Sequence, residues 1–223
     1  MQAQDRVKRI LTDLEAVREN LLALSDDIWL NIDYKDAKAL DEGHAFMRAY
    51  NEKISAFGHA ATDISDLIEQ FTQVHVDDGD RGGPKDSEEN KLAIRELARQ
   101  TPHSLDENYS FKRPYGFILR GQAFTNTTTW RGLYTEFCRH LTTIDVARVV
   151  ALPDNPLFRG KRGNTSFARD PGGLLSSQRI ADGIYAEGNM SANSIRDMMK
   201  RLLNEFGIAY DEIKVYLRED RDA

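Results

Sequence analysis

Apolar residues spaced alternately three and four positions apart run through the first seventy or so residues, and this spacing constrains the fold more than any other feature. Val7, Ile10, Leu14, Val17, Leu21, Leu24 and Ile28 form one such row, the pattern of a coiled-coil seam on a helix. The polar stretch around Ser25-Asp26-Asp27 through Asn31-Ile32-Asp33 breaks the pattern and turns the chain, with Trp29 and Leu30 covering the turn. A second helix is predicted from about Asp36 to about Gln73, with Met47, Tyr50, Ile54, Phe57, Ala61, Ile64, Ile68 and Phe71 in its seam. Gly43 and Gly58 each weaken it by about 1 kcal/mol relative to alanine. Two helices joined by a short turn fold back as an antiparallel hairpin. Such a hairpin buries only part of its apolar surface. The surplus either packs within the monomer or meets a second copy, and several heptads of this period favour a homo-oligomer joined through the helical half.

Residues 75–90, HVDDGDRGGPKDSEEN, are rich in Gly and Asp without apolar period and read as a solvated linker. Ser87 then caps a short helix, Glu88 to Arg99, carrying Leu92, Ile94 and Leu97, and Pro102 ends it. The expected division is a helical hairpin over 1–74, an acidic linker with a short helix over 75–104, and an α/β domain over 105–223. Net charge is −6 and unevenly spread. From Leu105 onward there are 17 Lys/Arg against 15 Asp/Glu, a net of +2, which leaves −8 for the first 104 residues. No run of about 18 apolar residues occurs, so no membrane helix is expected. The N-terminus threads charges through its apolar positions and lacks a signal-peptide core. Cys138 is the only cysteine, so neither an intrachain disulfide nor a Cys-rich metal site is available, and a cytoplasmic home is expected.

The third part reads as a mixed or antiparallel sheet covered on one face by two helices, which makes the chain α+β. Tyr115 to Gly121 and Gln122 to Thr127 are strands about a tight turn at Gly121. Thr128 or Thr129 caps a helix with Trp130, Leu133, Tyr134, Phe137, Cys138 and Leu141 inward. Val146 to Leu152 is either a strand or the end of a helix, and a long loop runs from Pro153 to about Leu175. Arg179 to Glu187 supplies one or two short strands. Ser191 or Asn193 caps a helix with Ile195, Met198, Met199, Leu202, Leu203 and Phe206 inward, and Gly207 ends it. Ile213, Val215 and Leu217 alternate as a half-buried strand. Both helices carry apolar residues at offsets 0, 3, 4, 7, 8 and 11. That reads either as a strand-strand-helix unit used twice or as the ordinary spacing of amphipathic helices.

Two anion-binding features stand out. The loop Leu157 to Arg169 holds Arg159, Lys161, Arg162 and Arg169 with no acid, two glycines, and Phe158 and Phe167, which either stack on bases or anchor the loop. The second is the start of the last helix, where Ser191 and Asn193 precede Arg196, Lys200 and Arg201, with Asp197 placed to pair with Arg201. Helix N-termini attract anions, and simple capping explains the same residues. Glu212-Ile-Lys214 has the acid-x-Lys form of a metal-dependent nuclease strand, with Asp154 as the upstream acid. Cys138 falls on an apolar stripe and reads as core, and the five histidines lack metal-ligand spacing. No nucleotide-binding fingerprint occurs, so no catalytic residue, metal or cofactor is assigned.

Gly183-Ile184-Tyr185 followed by Asn189 to Ile195, together with Trp130-Arg131-Gly132-Leu133, resembles a C-terminal module of uncharacterised bacterial proteins linked to restriction and anti-phage defence. The resemblance covers about the last 110 residues and implies a bacterial defence or DNA-associated setting without catalytic residues. The expected function is a non-enzymatic, oligomeric adaptor or nucleic-acid-binding component, its C-terminal domain meeting nucleic acid or an acidic protein. A purely structural assembly subunit and a divalent-metal nuclease are the alternatives.

Overall fold

A computed structural model describes residues 3–74, 87–160 and 165–218. The chain divides into two compact units, one up to Val76 and one from Asp77 on. The linker residues 75–86 and Lys161 to Asn164 of the basic loop lie outside the described residues.

The first unit is the expected hairpin of α1 (Ala3–Leu30) and α2 (Ala37–Thr72). Asp36 caps α2, accepting from the backbone N–H groups of Lys38 and Ala39. A left-handed residue, Gln73, ends it. Tyr50 donates to the carbonyl of Leu21 (3.0 Å), and the Trp29 and His44 rings lie 4.9 Å apart. These pairs align the helices antiparallel.

Burial divides the α1 row in two. Val7, Leu14, Leu21 and Ile28 are half-buried, whereas Ile10, Val17 and Leu24 retain 60%, 48% and 39% of their surface. On α2 the seam from Met47 to Ala61 is buried or half-buried, and Ile64, Leu67 and Phe71 near its end are exposed. Helical period specifies a stripe. It does not specify how much of the stripe one partner helix covers, and a helix about 10 Å across covers only a narrow one.

The second unit is α+β, as expected, but its strands form two sheets. β1 (Pro114–Leu119) lies between β2 (Gln122–Thr125) and β6 (Ile213–Leu217), and β5 (Ile184–Glu187) lies between β3 (Phe167–Ala168) and β4 (Ser177–Ala181). All the pairings are antiparallel. The β1–β2 turn places both Arg120 and Gly121 at positive φ, 50° and 76°, the backbone twist a two-residue hairpin needs. The order strand-strand-helix does occur twice, before α4 (Trp130–Ile144) and before α6 (Ala192–Phe206). In the first hairpin the leading strand is central, in the second the trailing strand is. The two units are therefore paired differently.

Both helices begin with side-chain caps, Thr129 accepting from Gly132 and Ser191 accepting from Ser194, and Gly207 ends α6 at φ 65°. One core joins Phe117, Leu119 and Val215 of the first sheet, Phe137 and Leu141 of α4, Met199 and Leu202 of α6, and Ile184 and Ala186 of the second sheet. The first sheet has a second covered face, contrary to the expected single one. There Tyr115, Ala123 and Tyr216 pack against Ala93 and Leu97 of α3 (Ser87–Leu97), and the Asn90 side chain accepts from the Ala123 N–H and donates to the Gly121 carbonyl, each at 2.8 Å. The short helix, grouped with the acidic linker from sequence, thus covers this face of the sheet. Val146 to Leu152 resolves as a helix, α5 (Val146–Ala151), capped by Asp145.

Candidate functional site

The basic loop is pinned at its root by its own aromatics. Phe158 and Phe167 are 1% and 0% exposed, with rings edge-on at 5.2 Å. The Ser166 N–H donates to the Phe158 carbonyl at 2.9 Å, which closes the loop at its base. Buried rings cannot stack on nucleobases, so of the two roles read from sequence these residues take the anchoring one.

Arg159 and Arg169 converge on Asp154. Arg169 grips its carboxylate through both Nη atoms (3.1 and 2.6 Å), and Arg159 stands 3.7 Å away while donating to the Pro153 carbonyl. The Arg169 hydrogen bond holds the Asp154 carboxyl below the usual range, with the two guanidinium charges acting in the same direction. The acid missing from the loop sequence comes from the short turn before it. Lys161 and Arg162 lie outside the described residues.

The start of α6 is occupied by internal bonds. The Asn193 Oδ1 accepts from the Tyr109 N–H (2.8 Å), while its Nδ2 donates to Asn108 Oδ1 and Ser110 Oγ (both 2.9 Å). Arg196 donates to the Glu107 carbonyl (2.7 Å), and Lys200 pairs with Asp106 (2.6 Å). Asn193, Arg196 and Lys200 thus hold the segment 106–110 against α6, while Ser191 caps the helix itself. Asp197 pairs with Arg196 in place of Arg201, and Arg201 instead lies over the Phe158 ring at 5.3 Å. So α6 meets the root of the basic loop through Arg201, while Asn193, Arg196 and Lys200 address a different segment.

The two acids of the nuclease reading each have an arginine of their own. Glu212 accepts from Arg120 (2.8 Å) and from the Ala209 N–H (3.0 Å), and Asp154 is held by Arg169. Among the described residues no three His, Cys, Asp or Glu are grouped to hold a metal ion. Cys138 is buried, and burial pushes its thiol up to about 12, beyond the range of a nucleophile. His140 packs on Phe124 with its Nε2 buried and without a hydrogen-bond partner in the described structure, and burial together with the Arg120 charge lowers its pKa.

The start of α4 and the segment that leads into α6 adjoin. A Cβ on Gly188 would sit 2.9 Å from the Arg131 side chain and 3.0 Å from the Ser176 carbonyl, so only glycine fits there without displacement. Trp130 donates to the Lys112 carbonyl (2.9 Å) and packs on Tyr109. Both stretches therefore fasten helices to loops. Comparison with protein-family models, curated proteins and solved structures finds no significant match.

One surface escaped the sequence reading. Val146, Val150 and Leu157 are 57%, 43% and 62% exposed, and Arg169 donates to the Val150 carbonyl. Only the resolution of residues 146–151 as a helix shows that Val146 and Val150 share a face.

Proposed function

We propose that this chain is a non-enzymatic, self-associating adaptor, with the helical hairpin as its assembly element and the α+β unit as its recognition element. The observation that carries the proposal is the row Ile10, Val17 and Leu24, spaced by seven and exposed on α1. Aliphatic side chains at heptad spacing on an exposed helix face form a seam that a second helix can cover, and a second copy offers the same seam in return. Ile64, Leu67 and Phe71 on α2 extend the exposed apolar surface of the hairpin.

The α+β unit supports recognition better than catalysis, because its candidate acids are paired with arginines and its thiol is buried. Among the described residues no helix is long and apolar enough to cross a membrane, and the cytoplasm is the setting we propose. A bacterial defence role rests on the two adjoining stretches alone. The test is sedimentation equilibrium of the full chain over a range of concentrations. A mass of two or more copies supports the reading, and a single-chain mass of 25.4 kDa throughout refutes it.

A further inference from the structure

The exposed row of α1 is charged at both ends, with opposite signs. Ile10 and Leu24 each lie seven residues from Val17, so each stands about 10.5 Å from it along the helix. Arg9 and Asp27 are eighteen residues apart, which is five turns at about 3.6 residues each. They therefore share one edge of the apolar row, Arg9 at its first end and Asp27 at its last. Arg6 accompanies Arg9, and Asp13 lies between Ile10 and Val17. Arg6, Arg9 and Asp13 are exposed and Asp27 is half-buried. Among the described residues, neither Arg9 nor Asp27 is engaged in an ion pair of its own chain.

We infer that two copies of α1 pair antiparallel about a two-fold axis at Val17, with Arg9 of each chain opposite Asp27 of the partner subunit. This rests on the self-association reading and adds its geometry and the residues that select it. A two-fold axis perpendicular to both helices sets Ile10 against Leu24 of the partner subunit and Val17 against its own copy, so every aliphatic of the row meets another. The same operation keeps like edges together. Arg9 then comes within about 3 Å, along the axis, of the level of Asp27 of the partner subunit, and Asp13 faces the uncharged Asn20 of the partner subunit. Parallel pairing instead sets each residue level with its own copy, like charge against like at Arg6 and at Asp13. Opposed like charges select against that arrangement, and the antiparallel one removes them.

Cross-linking tests the orientation. Ile10→Cys and Leu24→Cys chains, one of them tagged, are oxidised alone and mixed, with the wild type as control because its only cysteine, Cys138, is buried. The mixture is expected to give the tagged–untagged disulfide pair. Each variant alone should give none, since antiparallel pairing holds two copies of one such cysteine about 21 Å apart along the axis. Disulfides between chains of either variant alone, or none in a mixture that still sediments as two or more copies, overturn the inference. Charge reversal reads the same geometry without touching the aliphatics. Arg9→Glu and Asp27→Lys are each expected to raise the dissociation constant about tenfold at low salt, and the double variant to associate more tightly than either. A double variant no tighter than the single ones overturns the pairing. The two readings fail separately. A wild type at single-chain mass refutes self-association and this pairing with it, whereas a multiple-chain mass with cross-linking in the Ile10→Cys chain alone refutes the pairing and leaves self-association standing.

Discussion

Replacing Ile10, Val17 and Leu24 together by serine should dissolve the proposed assembly while leaving each protomer folded. Full burial of such a side chain is worth about 1.5–3 kcal/mol. In the protomer these residues keep 60%, 48% and 39% of their surface, so about half of that gain, or about 1 kcal/mol each, is left for an interface to realise. A two-fold dimer buries each row once per protomer. The triple variant then loses about 6 kcal/mol, equivalent to about 10⁴-fold in the dimer dissociation constant. A micromolar dimer would become monomeric at any workable concentration. Light scattering and sedimentation equilibrium between about 1 and 100 µM read this directly, with Asp13→Ser, exposed on the same helix, as control. The expected outcome is a fall to 25.4 kDa in the triple variant and no change in the control. A triple variant that keeps the wild-type mass would refute the reasoning. So would a variant that unfolds, because it would show the row to be internal core.

Three further outcomes follow from the α+β unit. Gly116→Ala places a Cβ 2.2 Å from the Phe124 carbonyl oxygen on the paired strand, so the cost in urea unfolding should reach or exceed the about 1–3 kcal/mol of ordinary overpacking, and a loss under about 0.5 kcal/mol would contradict the strand register. Asn193→Ala strands the N–H of buried Tyr109 and should cost about 2 kcal/mol, whereas Asn193→Asp keeps the acceptor and should cost less. Equal costs would sink that assignment. For His140 the folded pKa lies below the unfolded value of about 6.5, so the unfolded chain binds the proton more readily. Its contribution is complete above about pH 6.5 and declines as the pH falls toward the lowered folded value, so His140→Gln should flatten stability in that window. Identical pH slopes for wild type and variant in chemical denaturation would exclude this source.

Much of the local structure was legible in the residues, because its causes are local. The caps at Thr129 and Ser191, the Gly207 stop and the Gly121 turn act within a few positions, and the inward rows of α4 and α6 follow helical period. The candidate sites were less legible, because the partners come from afar. Asp154 lies 15 residues from Arg169, and Asn193 lies 84 from Tyr109. A cluster of cations in sequence says nothing about the carboxylate that folding places opposite it. The short helix expected over Glu88 to Arg99 is present as α3, but what its apolar face packs against was not legible, for a related reason. Ala93 and Leu97 make a thin apolar face, and their value emerges only against Tyr115, Ala123 and Tyr216 on a sheet face that the Ile213, Val215, Leu217 alternation left open.

By itself the sequence determined a helical hairpin, an α+β partner unit and the limits of most helices, since period and capping are properties of neighbouring residues. Tertiary structure alone decided that the strands separate into two antiparallel sheets, that Phe158 and Phe167 anchor the loop they flank, and that Ile10, Val17 and Leu24 of the α1 row stay exposed. Those outcomes depend on which surfaces meet across long stretches of chain, and a one-dimensional pattern specifies a face without specifying what covers it.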